Sequence, residues 1–107
     1  MNLKIISFNK KGDNMKFKKG ISIIIPCYKG EKYINKLLDS LNNQTIDKKL
    51  FEVILIINGE QDKSPEIIEK YIKNHPKLNI ALDYSDKGPG KARNKGIKLA
   101  NREYSIF

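Results

Sequence analysis

The sequence predicts an α/β protein with a mostly parallel sheet between layers of helices, and three repeated strand–helix units are the reason. Residues 21–25 and 51–57 are nearly continuous apolar runs rich in β-branched side chains, and residues 78–84 alternate between apolar and polar. Such runs are typical of strands in a covered sheet. Each is followed by a segment with apolar residues at helical spacing. Successive units of this kind require parallel strands joined by right-handed crossovers.

The first unit begins with the strand at 21–25, which Pro26 is expected to end. Residues 31–43 then predict an amphipathic helix, because apolar side chains recur on one helical face. Ahead of this unit, residues 3–8 form a short apolar run that fits an edge strand.

The second unit joins its strand to a helix in which Ser64 is predicted to be the N-cap and Pro65 the first helical position. The third unit joins its strand to a helix over 90–101, and strand-like residues follow at 104–107. Sheets of this kind bind ligands at the carboxyl ends of their strands. We therefore expect the site in the loops that follow the three strands, at 26–31, 58–64 and 85–93.

Length and composition fit one small globular domain of 107 residues. Cys27 is the only cysteine, so no internal disulfide can form, and a single histidine beside it makes no zinc pattern. The longest apolar run is far shorter than the ~20 residues of a membrane-spanning helix. We therefore expect a soluble, cytoplasmic chain.

Positive charge is concentrated in a basic leader at 1–20, which holds six lysines and one aspartate of a chain with net charge +9. Such a leader fits a solvated tail, and it also fits peripheral contact with the inner face of the membrane through anionic lipids. Nucleic acid is a weaker fit, because aromatic residues do not alternate with the basic ones.

The loop at 86–95 places glycines and cations at the start of a helix, where free backbone N–H groups and the helix dipole attract anions. This pattern fits a phosphate site or a solvated basic helix start. A triphosphate-binding loop is excluded, because Ser85 and Ala92 stand where that motif needs glycine and Ser or Thr. A dinucleotide fingerprint is excluded because Arg93 replaces its third glycine.

A more specific pattern is formed by four segments, at 21–29, 33–45, 51–62 and 88–100. In order and spacing they closely resemble family 2 glycosyltransferases of the GT-A fold. The resemblance implies a truncated GT-A domain, that is, a Rossmann-like three-layer α/β/α fold with a mostly parallel sheet. It also implies that residues 21–107 are the nucleotide-sugar-binding half of that domain.

The resemblance implies nucleotide-binding roles for particular residues. Pro26 and Tyr28 match the turn after the first strand, where backbone and ring pack on the base, although Tyr28 also fits ordinary packing at a helix entry. Asn58 matches the second position of an acidic pair, and Asp62 the later acid of that loop. Arg93 matches an Ala-Arg-Asn signature and is a candidate for the nucleotide or diphosphate. Lys91 joins them as a cation of the glycine loop.

Three departures from the family pattern leave the identity of the nucleotide base undecided. Ile57 replaces the first acid of the pair, Lys29 a common Asn, and Glu60 a common Ser. Uracil presents an N3–H donor, whereas cytosine presents an N3 acceptor and an amino donor, and the amide of Asn58 could turn either end towards its ligand. A UDP-sugar is favoured by family frequency alone.

Family members continue past a strand like 104–107 into an Asp-x-Asp motif that holds a divalent metal, and later into an acceptor site and general base. None of these occurs in this sequence, so we assign no catalytic and no metal-binding residue. The resemblance implies Mg²⁺ or Mn²⁺ for the full-length enzyme and none for this chain. We expect this chain to bind a nucleotide sugar without turnover, and to self-associate. The alternative is a non-catalytic basic α/β module that binds nucleic acid or an acidic partner.

Overall fold

The computed structural model describes residues 5–8, 18–60 and 62–107. These residues form five strands and three helices, with a short 3₁₀ turn at Lys48–Leu50. In chain order they are β1 (Ile5–Phe8), β2 (Lys18–Cys27), α1 (Ile34–Asn42), β3 (Phe51–Asn58), α2 (Ser64–Asn74), β4 (Ile80–Ser85), α3 (Pro89–Leu99) and β5 (Arg102–Ile106).

The strands form one sheet in the order β1-β5-β2-β3-β4. Strands β5, β2, β3 and β4 are parallel, and only β1 is antiparallel, to β5. The predicted mostly parallel sheet is thus confirmed, with an edge strand inside the apolar run at 3–8.

The helices divide between the two faces of the sheet. One buried cluster joins α1 and α2 to side chains such as Val53 and Leu55. The other joins α3 to Ile24, Ile54 and Ile56. Because successive strand residues point to opposite faces, each apolar run fills both clusters. The three-layer α/β/α arrangement is therefore confirmed.

Strand β2 is longer than predicted, and Pro26 lies inside it opposite Ile56 of β3. Proline lacks the N–H that a central strand donates. The register explains how β2 continues, because β5 pairs with β2 only as far as Ile23. At Pro26 the strand therefore has one neighbour instead of two.

The start of α2 differs from the prediction. The helix begins at Ser64 itself, and Lys63 occupies the N-cap position without a side-chain cap. The Ser64 N–H and hydroxyl instead donate to Asp62 Oδ1. The acid two residues upstream, rather than the serine, thus supplies the hydrogen-bond acceptor at the start of α2.

The basic leader falls largely on residues outside those that the structure describes, so its predicted membrane contact stays a prediction. Among the described residues, no helix combines the length and apolar character needed to cross a bilayer.

Candidate functional site

Three loops meet at the carboxyl edge of the sheet, as the parallel order requires. The register aligns Cys27 with Ile57 and Asn58 with Ser85, so β2, β3 and β4 end at nearly the same level. The second and third loops are joined directly, since the Gly59 N–H donates to the Ser85 carbonyl at 3.2 Å. We refer to these segments, 28–33, 59–63 and 86–88, as the first, second and third loops.

Asn58 fixes the third loop and the start of α3. Its side chain is buried, with 8% exposed, and its Oδ1 accepts the Gly88 N–H at 2.9 Å. Gly88 is the N-cap of α3 and has φ of 132°, a conformation that favours glycine. The contact orients the amide, so that Nδ2 is the end not used by Gly88.

Tyr28 is open to solvent, with 41% of its surface exposed. The Nζ atoms of Lys29 and Lys87 each lie 5.5 Å from its ring centroid, within cation–π range. Lys29 adopts φ of 49°, which is uncommon for a residue with a Cβ. The first and third loops thus place two cations beside one exposed aromatic ring.

Lys29 and Glu60 form an ion pair between the first and second loops, with Nζ 2.9 Å from Oε2. The hydrogen bond and the attraction raise the pKa of Lys29 and lower the pKa of Glu60. These are two of the three positions at which the sequence departs from the family pattern. Sequence reasoning missed their contact, although their opposite charges were a signal for it.

Asp62 connects the second loop to both neighbouring elements. Its Oδ1 accepts from the Ser64 N–H at 2.8 Å, and its Oδ2 accepts from the Glu31 N–H at 3.0 Å. Desolvation acts to raise the pKa of Asp62, but these hydrogen bonds outweigh it and the pKa is lowered. The geometry gives Asp62 a structural role, and its role in nucleotide binding stays a prediction.

The two predicted cations of α3 diverge. The Arg93 guanidinium lies 5.9 Å from the ring centroid of Phe107, just past the carboxyl end of β5. Lys91 lies 4.0 Å from Asp86 and lines a shallow groove of about 500 Å³ along the β4 side of α3, together with Tyr84, Asn94 and Lys98. The structure therefore brings Tyr28, Asn58 and the third loop together, places Arg93 at the end of β5, and directs Lys91 away.

A divalent metal does not fit the described side chains. No three His, Cys, Asp or Glu residues within 18–60 and 62–107 are arranged to hold one. Asp83 pairs with Lys95 at 3.8 Å and Asp86 with Lys91, so these acids are directed towards lysines.

Comparison with known proteins places this chain in a defined family. The glycosyl transferase family 2 model matches residues 22–107. Poly(ribitol-phosphate) β-N-acetylglucosaminyltransferase TarS of Staphylococcus aureus is 40% identical over 87 residues, which are 80% of this chain and 15% of TarS. Poly(ribitol-phosphate) β-glucosyltransferase of Bacillus spizizenii is 40% identical over 88 residues, covering 81% of this chain and 14% of that protein.

The solved structures that match this chain are also glycosyltransferases. The structure of S. aureus TarS 1–349 in complex with UDP matches with a TM-score of 0.71 and 38% identity, over 80% of this chain and 25% of that one. Mannosyltransferase PcManGT from Pyrobaculum calidifontis, in complex with GDP-Man and Mn²⁺, matches with a TM-score of 0.70 at 23% identity, over 78% of this chain and 25% of that one, and supports the fold alone.

The fold is therefore that of the GT-A glycosyltransferases. The chain belongs to glycosyl transferase family 2. It spans about a seventh of the length of the two poly(ribitol-phosphate) glycosyltransferases that it matches.

Proposed function

We propose that this chain is the donor-binding part of a glycosyltransferase that moves a sugar from a nucleotide diphosphate, UDP by preference, to a glycan or lipid acceptor. The observation that carries the proposal is the meeting of three loops around the exposed ring of Tyr28, with Asn58 fixing the loop that starts α3. The TarS structures with UDP and with UDP-GlcNAc support a uridine donor.

Each part of the site has a role that its chemistry suits. The ring of Tyr28 would stack on the base, a contact worth roughly 1–3 kcal/mol in nucleic-acid sites. Pro89 has no N–H and the Gly88 N–H bonds to Asn58, so the N–H groups of Gly90 and Lys91 are those of the first turn of α3 that would face the diphosphate. Arg93 leaves the same end of α3 and would add a charged donor for a phosphate oxygen.

A binding experiment separates this proposal from a basic module that binds nucleic acid. We would titrate UDP, CDP and a short oligonucleotide by calorimetry at two salt concentrations. Saturable binding of a nucleoside diphosphate is the expected result. Oligonucleotide binding that falls steeply with salt, with no nucleotide binding, would instead favour the basic module.

The names of the relatives support a proposal for the acceptor class. Two of them are by name poly(ribitol-phosphate) glycosyltransferases, so a polyol-phosphate polymer is the glycan acceptor that we propose first for the whole protein. The test is incorporation of radiolabelled sugar into purified polymer by the full-length protein, with a phosphate-free glycan as the comparison. Transfer to the phosphate-free glycan alone would contradict the polyol-phosphate assignment.

We propose that the 107-residue chain binds its donor without turning it over. Tyr28, Asn58 and Arg93 offer ground-state contacts, and binding that does not favour the transition state gives no rate. Calorimetry of UDP with and without Mn²⁺, beside a donor-hydrolysis assay, tests this. We expect no hydrolysis and little effect of Mn²⁺ on affinity. Hydrolysis by the purified chain, or an affinity that depends strongly on Mn²⁺, would show that catalytic groups lie within these residues.

A further inference from the structure

Hydrogen-bond acceptors on described side chains are scarce where a base would lie. Ile57, in the position of the family's first acid, is apolar and only 2% exposed. Asn58 uses Oδ1 to accept the Gly88 N–H. Asp62 uses both of its oxygens, for Ser64 and for Glu31. The acceptors of Asn58 and Asp62 are thus committed at least in part to contacts within the protein.

Glu60 is the exception. Its side chain is exposed, and among the described residues its Oε2 forms an ion pair with Lys29. A carboxylate offers about four acceptor positions, so this contact leaves most of them open. The lowered pKa of Glu60, caused first by its hydrogen bond to Lys29, keeps the group ionised at neutral pH and therefore purely an acceptor.

Glu60 is also held close to the ring on which the base would stack. Lys29 Nζ lies 2.9 Å from the Glu60 carboxylate and 5.5 Å from the centroid of the Tyr28 ring, so one ammonium group joins the two. Lys87, on the other flank of the site, also attracts the Glu60 carboxylate. The Glu60 carboxylate is therefore held by Lys29, whose ammonium group also lies over the Tyr28 ring.

We propose that Glu60, positioned by Lys29, accepts the imino N–H of a uracil base and thereby selects UDP over CDP. This inference rests on the proposed function. Uracil carries a donor at N3, whereas cytosine carries an acceptor there, which a carboxylate repels. Cytosine also carries an amino donor at C4, so the discrimination requires Glu60 to face N3, and a chain that binds CDP as tightly as UDP would contradict it. Asn58 Nδ2 is a donor and suits the O2 carbonyl that both bases share, so Asn58 contributes affinity without discrimination. Glu60 thus supplies the acceptor that Ile57 cannot.

The test compares UDP and CDP binding to the wild-type chain and to Glu60→Ala by calorimetry. The measured quantity is the Kd for CDP divided by the Kd for UDP. A purely electrostatic effect of Glu60 on the diphosphate would change both affinities equally and leave this ratio unchanged. We expect the wild-type chain to prefer UDP by about tenfold and Glu60→Ala to lower that ratio to about one. Glu69→Ala removes an exposed glutamate in the middle of α2 and should leave the ratio unchanged.

Two further variants separate charge from hydrogen bonding. Glu60→Gln keeps the shape and offers either an oxygen or an amino group, so it should bind both nucleotides about equally. Lys29→Ala frees the carboxylate and should lower the ratio in part. If the wild-type chain binds neither nucleotide, the proposed function is overturned and this inference with it. If the chain binds UDP but Glu60→Ala keeps the wild-type ratio, only the assignment of Glu60 is overturned.

Discussion

Asp62 shows how one side chain can hold together segments that are distant in sequence. It accepts from Ser64 at the start of α2 and from Glu31 in the first loop. An acid at this point also faces the positive end of the α2 dipole. Asp62 therefore fixes the second loop against the first, and the ion pair of Lys29 with Glu60 depends on that placement.

The lowered pKa of Asp62 predicts a pH-dependent contribution to stability. A carboxyl with a lowered folded-state pKa stabilises the fold above its unfolded value of about 4, and that contribution is lost as the pH falls through the folded value. We expect Asp62→Asn to lower Tm at pH 7, and the difference from wild type to shrink towards pH 3. Thermal unfolding followed by circular dichroism measures both, with Asp86→Asn as the exposed control. A difference that stays constant with pH would contradict this account.

Arg93 is expected to contribute to diphosphate binding because it emerges near the start of α3 and lies at the carboxyl end of β5. Arg93→Ala should weaken UDP binding about tenfold, since it removes a charge-assisted hydrogen bond. Lys98→Ala, in the last turn of the same helix, removes the same charge far from the loops and should have little effect. Equal affinities for wild type and Arg93→Ala, with the fold intact, would remove Arg93 from the site.

The positions at which the strands end could be predicted from the sequence, because apolar runs and turn residues are local signals. The sequence placed Asn58 at the end of a strand and Arg93 near the start of a helix, where the structure has them. It did not predict that Asn58 accepts from Gly88, or that Lys29 meets Glu60. Those contacts depend on the register between neighbouring strands, which a local sequence pattern does not determine.

At the scale of elements, α3 approaches the sheet closely because small residues line its inner face. Ala92 and Ala100 are fully buried or nearly so, and Gly96 lies between them. A Cβ added to Gly96 would lie 2.3 Å from Cγ2 of Ile24. The glycine thus sets the distance between α3 and β2, and with it the position of the third loop relative to the sheet.

A matched pair of glycine variants tests this contact. Gly96→Ala should destabilise the chain by about 1–3 kcal/mol through overpacking, although alanine is the better helix former. Gly90→Ala, in the first turn of the same helix, meets nothing within 4 Å and should be neutral or stabilising by up to about 1 kcal/mol. Urea unfolding gives both free energies. Equal stabilities of the two variants would show that α3 can shift to accommodate a methyl group.

Periodicity predicted the three helices and the core strands, and the boundaries moved where tertiary contacts intervened. Glu52, inside an apolar strand, is a residue whose position hydrophobic periodicity does not explain. Its Oε2 accepts from the Ser22 hydroxyl and from the Asn101 N–H, both at 2.7 Å, so a buried carboxylate ties β2 to the start of β5. Only the order of strands in space makes that position suitable for a charge.

At the scale of the whole molecule, an apolar groove of about 350 Å³ opens beside the end of α1. Ile21, Leu41, Ile46 and Ile106 contribute to it, and more than a third of the surface of Ile46 is exposed. Strand β1 covers the outer edge of β5, whereas β4 forms the opposite edge of the sheet.

Self-association is the expected consequence, because apolar grooves and open strand edges favour contact between copies. Sedimentation velocity should show a rising average mass between low and high micromolar concentration. Ile46→Glu, which places a charge in the groove, should reduce the effect, and Lys73→Glu, on α2, should not. A monodisperse monomer over the whole range would rule out this expectation.

The pairing of β1 with β5 also has a consequence for synthesis on the ribosome. These strands stand first and last among those in the described sheet, yet they are direct neighbours. While the polypeptide emerges, β2, β3 and β4 can assemble with their helices one after another, but Ile5–Phe8 has no partner until Arg102–Ile106 has left the exit tunnel. The contact of highest sequence separation thus forms last, after most of the entropy of the chain has already been lost.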